Sequence, residues 1–313
     1  MKFLVTGGAG FIGSHLCDAL LEDGGEVVAI DDLSLGREAN VAHLRDNDRF
    51  TLVVGDILDD ACLLPLMTNH RFDCVFHMAA NSDIARSHAA PSVDLDRTFM
   101  TTFKVLEGMR KSGVHRLVFA STSAIYGETD ERITEDFGPL CPISHYGAGK
   151  LASEAFISSF GENYGIQSWI TRFPNVVGGR ATHGAIYDFV QRLVKDDAKL
   201  AVLGNGTQVK PYVFVTDLVS AMLTVFRKTS EKINIYNVGV DTATTVADIA
   251  RFVLEEGGID APIEFGEGDR GWVGDVPRFT YDVSKLRQLG WSATMTSDQA
   301  VRAAARAIWA ESR

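Results

Sequence analysis

Short apolar runs recur along the first half of the chain: KFLVT at 2–6, EVVAI at 26–30, FTLVV at 50–54, CVFHM at 74–78, RLVFA at 116–120 and SWITRF at 168–173. They are β-branched and apolar nearly throughout, which predicts strands buried on both faces. Between them, segments 11–23, 92–111 and 146–160 carry apolar residues at helical spacing. Strand alternating with helix implies right-handed crossovers and a parallel sheet covered by helices on both sides. The expected fold is α/β, a doubly wound (Rossmann) sheet, with its ligand beyond the carboxyl ends of the strands. Past residue 175 the rhythm loosens, and LGNGTQVKPYVFV and GEGDRGWVGDVP are rich in Gly and charge. A sheet domain is therefore expected over 1–174 and a smaller α/β lid over 175–313, with segments near 213–240 able to return to the first.

Composition narrows the partners. The chain has 313 residues, 46% of them hydrophobic, and a formal charge of −11, which disfavours nucleic acid and anionic membranes but leaves room for a local basic pocket. Cys17, Cys62, Cys74 and Cys141 form no C-x-x-C pair, and the eight histidines show no H-E-x-x-H spacing. Neither a disulfide framework nor a metal site is expected; Cys141 is read as an inert loop thiol. No apolar run approaches the ~18–20 residues that span a bilayer. The first strand starts at residue 2, leaving no room for a signal peptide, so a cytoplasmic location is expected.

The stretch VTGGAGFIGSHL begins where the first strand ends and places Gly7, Gly10 and Gly13 as G-x-x-G-x-x-G. Such a loop lets the backbone turn sharply, approach a pyrophosphate and present the amides of the next helix to it. Asp31 ends the second strand, close to the ~20-residue spacing at which a carboxylate meets the adenosine ribose hydroxyls. A 2′-phosphate would be repelled there, so NAD is expected rather than NADP. Asp32 reads as a solvated turn residue. Asp56, in GDI at the end of the third strand, is a candidate for the adenine amine.

Two further stretches carry chemistry. SHYGAGK puts Tyr146 and Lys150 at i, i+4 on one helix face. A free phenol has a pKa of ~10 and is a poor base at pH 7; a neighbouring ammonium and a cationic nicotinamide should lower it. In FASTSAIYG, Thr122 ends the fifth strand at the crevice, where its hydroxyl could hold a substrate alcohol while Tyr146 accepts the proton. Ser121 and Ser123 fit strand-end capping better.

Together these residues resemble the extended short-chain dehydrogenase/reductases that act on nucleotide sugars, within them the epimerase group and most closely the UDP-glucose 4-epimerases. TGGAGFIGSHL, Asp31, GDI, HMAA (77–80), STSAIYG, SHYGAGK, RFPNVVGGR (172–180), VTDL and GDVPRFTYDVSKLRQLGW carry the resemblance over nearly the whole chain. It implies that Gly7, Gly10, Phe11, Ile12 and Gly13 wrap the pyrophosphate, Asp31 the ribose, and Asp56 with Ile57 the adenine. Ala79 and Ala80 would line the cofactor channel, and Thr122, Tyr146 and Lys150 would form the catalytic set, with the last two also touching NAD. Asn175, Lys210, Tyr212 and Arg270 would contact the sugar nucleotide, and Trp272 either covers the sugar or packs within its loop. The related sugar 4,6-dehydratases carry an Asp-Glu pair where this chain has Ser123 and Ala124, and UDP-glucuronate decarboxylases place Glu at 124. A methyl group transfers no proton, so reversible oxidation at C4 is favoured. Asn175, where UDP-glucuronate 4-epimerases commonly have Thr, favours a neutral sugar. Lys210 replaces an arginine, Thr98 an asparagine, and Gly149 a frequent serine. The implied function is NAD-dependent C4 epimerisation of a UDP-linked sugar by a homodimer joined through 92–111 and 146–160. The alternatives are a dehydratase, decarboxylase or reductase of the same family, or a non-catalytic dinucleotide-binding protein.

Overall fold

Seven parallel strands form the central sheet of the computed structural model, which describes residues 1–82, 87, 89–268, 276 and 279–312. They are β1 (Lys2–Thr6), β2 (Glu26–Asp31), β3 (Phe50–Val54), β4 (Cys74–His77), β5 (Arg116–Thr122), β6 (Gln167–Phe173) and β7 (Ile233–Asn237). Their spatial order is β7-β6-β5-β4-β1-β2-β3. The chain runs outward from β1 to β3 and restarts at β4 on the other side of β1. That reversal opens a crevice at the carboxyl ends of β1 and β4, where ligands of such sheets bind.

Side-chain alternation divides the sheet's burial between two layers. On one face Phe3, Val5, Val27, Phe76 and Trp169 pack with α1 (Phe11–Glu22). On the other, Leu4, Val28, Ile30, Leu117 and Phe119 pack with α2 (Asp60–Asn69), α3 (Thr101–Ser112) and α4 (His145–Tyr164). Fully burying each such side chain stabilises the fold by roughly 1.5–3 kcal/mol, which explains why the strands read apolar throughout.

A second core lies beyond the strand ends. Helix α5 (Ala185–Lys195) buries Ile186, Phe189, Val190 and Leu193 at i, i+3, i+4, i+7. The returning helix α6 (Val215–Lys228) joins the sheet layer instead, burying Leu218, Met222 and Phe226 against the α1 side. Helices α7 (Val246–Gly257) and α8 (Ser297–Ser312) close the second core, with Ala300, Ala304 and Ala305 allowing close approach. Two short parallel pairs, Asn175–Val177 with Tyr212–Phe214 and Leu200–Val202 with Ile263–Phe265, edge this core.

Two departures from expectation bear on function. Segment 92–111 is not one helix: a turn at Ser92–Asp94 passes into a π-helical stretch, Leu95–Met100, before α3 begins. Such bulges aim side chains that a regular helix would turn away, and they recur at functional sites. The strand β7 lies in the 213–240 stretch read as able to return to the first domain but was not read as a strand; it supplies the seventh position, pairing with β6 from Ile233↔Ser168 to Asn237↔Arg172.

A buried polar chain ties the crevice together. The β1–β4 register sets Thr6 opposite His77. Thr6 Oγ1 lies 2.6 Å from His77 Nδ1, His77 Nε2 lies 3.1 Å from Thr102 Oγ1, and Ser153 Oγ donates to Thr102 Oγ1 at 3.0 Å. Burial, and then the Lys150 charge, push the His77 imidazole down to about 3, so it stays neutral in the native state. The unfolded imidazole titrates near ~6.5. Between these values only the unfolded chain takes up the proton, and stability falls as pH drops through that window. His77→Gln is expected to flatten the pH dependence of unfolding free energy between pH 4 and 6 by about 1.4 kcal/mol per pH unit. Denaturant titrations at several pH values test this, and parallel slopes for variant and wild type would contradict it.

Candidate active site

The glycine loop fits a pyrophosphate on its own geometry. Gly7 sits at φ 68°, and a Cβ there would stand 2.9 Å from the Ala79 backbone. A Cβ on Gly13 would stand 2.0 Å from the Gly7 carbonyl oxygen, so only glycine lets α1 start this close to β1. The N-cap of α1, Gly10, offers no side-chain cap, and the first turn holds no acid. Its unpaired amides and positive dipole end are left for an anion. Gly7, Gly10, Phe11, Ile12 and Gly13 all line one cavity of about 880 Å³ at the crevice.

At the adenosine end Asp31 is buried, its Oδ2 accepting from Ala9 N at 3.0 Å and Oδ1 from Leu33 N at 2.9 Å. Burial raises its pKa, and these amides oppose that. Asp56 accepts from Leu58 N and pairs with Arg97 Nη1 at 2.8 Å. The same guanidinium reaches Asp32 Oδ2 at 3.1 Å. Asp32, expected as a solvated turn residue, does form a turn with Ser34, but it is also half of this bridge. Arg97 was not anticipated, because its surroundings read as an ordinary helix. Ile57, Ala79 and Ala80 line the same cavity.

The hydroxyl and amine groups converge at the end of β5. Ser144 Oγ caps α4 by accepting from Gly147 N at 3.1 Å. A Cβ on Gly147 would stand 2.4 Å from the Ala124 carbonyl oxygen, so α4 begins pressed against the loop after β5. That contact places Tyr146 with Thr122 on the wall of the same cavity. Lys150, 1% exposed, donates to the Ala120 carbonyl at 2.7 Å, its Nζ lying 4.6 Å over the Phe119 ring and 5.9 Å from the Tyr146 ring centre. Thr122, rather than Ser121 or Ser123, takes the capping role too, accepting from Ala124 N at 3.2 Å.

The electrostatics differ from expectation. Burial and then Asp94 raise the Tyr146 pKa, with only the Thr122 hydrogen bond lowering it. Burial pushes Lys150 down to about 7, against the raising influence of Glu154 and Asp94. The amine therefore does not by itself make the phenol acidic. The reason is that both groups are taken out of water, which favours the neutral form of each.

Glu154, one turn beyond Lys150, holds the block in place. The β5–β6 register pairs Ser121 with Arg172, and both reach Glu154 from the sheet. Ser121 Oγ donates to Glu154 Oε1, while Arg172 Nη2 meets Oε2 at 2.6 Å and Nε meets Oε1 at 3.1 Å. Arg172 Nη1 continues to Tyr126 OH at 2.9 Å, and Tyr126 OH donates to Asn237 Oδ1 on β7 at 2.7 Å.

Across the cavity Asn175 is exposed, and the short parallel pairing sets it directly beside Tyr212. Lys210 lines the same space, half-buried, while Tyr212 is mostly absorbed into the second core. Arg270 and Trp272 lie outside the described residues.

A switch-point crevice, a glycine-lined anion cradle and a Tyr-Lys pair at its inner end define a dinucleotide-dependent enzyme of the short-chain dehydrogenase/reductase type. The chain belongs to the NAD dependent epimerase/dehydratase family, whose model matches residues 3–239. It is 32% identical over 297 residues to the UDP-glucose 4-epimerase of Mycolicibacterium smegmatis, covering 93% of each chain. A crystal structure of UDP-galactose 4-epimerase superposes with a TM-score of 0.87 at 38% identity over 99% of both chains. The Thermus thermophilus UDP-glucose 4-epimerase in complex with NAD gives 0.87 at 31% identity, over 98% of this chain and 99% of that one. NAD is the cofactor, and the cradle and Asp31 suit it.

Removing one partner of a buried pair strands the other. Glu154→Ala leaves Arg172 without its carboxylate and is expected to cost about 3–5 kcal/mol in denaturant unfolding. An unchanged midpoint would show that Arg172 is satisfied elsewhere.

Proposed function

We propose that this chain interconverts C4 epimers of a UDP-linked neutral sugar, with Tyr146 as the proton acceptor and donor. The observation that carries the reading is the convergence of Tyr146, Thr122 and Lys150 on the inner end of the dinucleotide cavity, with the Lys150 Nζ 5.9 Å from the Tyr146 ring centre. Bound NAD supplies a reversible two-electron acceptor and, when oxidised, a cationic ring. Thr122 holds the C4 hydroxyl toward Tyr146. Tyr146 takes the hydroxyl proton as C4 loses a hydride, the redox chemistry that NAD would supply, and returns the proton to the carbonyl oxygen when the turned-over 4-keto sugar regains the hydride on its opposite face. Lys150 holds the nicotinamide ribose and keeps positive charge below the phenol. Because burial holds the phenol neutral in the protein alone, the bound cofactor's charge is what makes it a base. Asn175, Lys210 and Tyr212 hold the sugar nucleotide, with Arg270 a further contact, and Ser123 and Ala124 offer no acid for elimination. A cytoplasmic location completes the reading; no helix among the described residues is long and apolar enough to cross a membrane.

The reading includes a homodimer. Phe99, Phe103 and Phe156 form an edge-to-face aromatic ridge across the π-helical stretch, α3 and α4, with centroids 5.0 and 5.9 Å apart. Phe156 is 39% exposed and Leu95 57%, an apolar surface that a second copy would cover.

Tyr146→Phe is expected to lower kcat by about 10²–10⁴-fold, the range for a lost general base, while NAD stays bound. Retention of most activity would overturn the role. Incubation with UDP-sugar and no added NAD should yield the C4 epimer without net NADH, and NADH accumulation would indicate a dehydrogenase instead. In light scattering the wild type should have a dimer's mass and Phe156→Glu a monomer's; a monomeric wild type would exclude the interface.

A further inference from the structure

Asp94 is 1% exposed at the end of the short turn before the π-helical stretch, yet its carboxylate is only half satisfied. Its Oδ1 accepts from Thr98 Oγ1 at 2.9 Å and from Asn81 Nδ2 at 3.1 Å. Among the described residues, Oδ2 accepts no hydrogen bond. A buried carboxylate oxygen without a donor is costly unless a positive charge lies near.

The packing sets this turn beside the helix that carries Lys150. The Asp94 carbonyl oxygen stands 3.3 Å from where a Cβ on Gly149 would be, and Thr98 Cγ2 stands 3.2 Å from the same point. The turn bearing Asp94 thus lies directly on α4 at the residue preceding Lys150. Thr98 and Gly149, two of the sequence's departures from its family pattern, are parts of this one contact. A serine at 149 would crowd Thr98, and Thr98 is what orients the carboxylate. Charge balance points the same way: Glu154 is occupied by Arg172 and Ser121, so the buried Lys150 lacks a dedicated anion unless Asp94 provides it.

We propose that Asp94 is the buried counter-charge of Lys150, a positioning residue acting on the Tyr146–Lys150 pair across the helix contact at Gly149. The proposal rests on the reading of Tyr146 as the proton acceptor. The groups that face the pair are Glu154 from α4, neutral His77 from β4, Ser121 and Thr122 from β5, Arg172 from β6, and Thr98 from the segment bearing Asp94. Arg97, on that segment, points outward to Asp32 and Asp56. Asp94 favours the ammonium and disfavours the phenolate, so it raises both titrations.

Asp94→Asn keeps the shape and removes the charge. Both limbs of the kcat/KM–pH profile, the rise on Tyr146 deprotonation and the fall on Lys150 deprotonation, should move to lower pH by about one unit. Activity on the acid limb should correspondingly rise up to about tenfold. A purely structural role would lower the rate and leave both limbs in place. If the asparagine variant fails to fold, as judged by circular dichroism and NAD retention, Asp94→Ser serves the same test. Unmoved limbs, or a move to higher pH, in a folded, NAD-retaining variant overturn the proposal. Tyr146→Phe measured in parallel separates the failures: if that variant stays active, the underlying reading falls, and if it is inactive while the Asp94 profile is unmoved, only this proposal does.

Discussion

Lys150 carries an ammonium into a place water does not reach, and the architecture around it compensates for that burial. An isolated buried ammonium would shed its proton. Here the Ala120 carbonyl accepts from it, the Phe119 ring lies beneath it, and two carboxylates stand on the flanking helical turns. These contacts come from three elements: the end of β5, the body of α4, and the turn before the π-helical stretch. Once buried, the amine keeps its charge only to the extent that sheet and helices supply these contacts together. The Tyr146–Lys150 pair and the fold are coupled in this way, and the Glu154–Arg172 pair extends the coupling to β6 and β7.

The cofactor half of the cavity works on the opposite principle. It avoids buried positive side chains and presents backbone instead: a loop with no Cβ at Gly7 and Gly13 and an uncapped helix start. Backbone amides bind an anion without a side chain to desolvate, which suits an acidic protein that must hold a pyrophosphate. Asp31 closes the adenosine end with a carboxylate already fixed by two amides, so little ordering remains when a ribose arrives. Thr6, His77, Thr102 and Ser153 connect this half to α4, and the two ends of the cavity share one rigid frame.

Six of the seven sheet strands were legible because burial on both faces leaves an unbroken apolar run. The seventh was not: in INIYN, Asn234 and Asn237 interrupt the pattern, and both serve hydrogen bonds that sequence spacing does not display. Tyr146, Lys150, Thr122 and the glycine loop were legible because local spacing alone brings each into position. Glu154, Arg172, Arg97 and Asp94 were not, since their partners are 18 or more residues away or depend on a π-helical offset. The lowered phenol pKa was inferred from a neighbouring ammonium together with a cationic nicotinamide; in the protein alone burial, which three-dimensional packing decides, is the largest influence and raises it.

The same charge placement bears on which reactions the site can run. Proton transfer to a leaving hydroxyl needs an acid that can release its proton and regain it. At the two positions after Thr122 there is a hydroxyl and a methyl. Glu154 lies close by, but both its oxygens are engaged by Arg172 and Ser121. Asp94 is packed beneath α4, its Oδ1 held by Thr98 and Asn81. These carboxylates shape the field around Tyr146 without taking part in proton transfer. In the proposed reaction one phenol handles the proton in both directions, and only the face of C4 that is reduced differs between the two epimers.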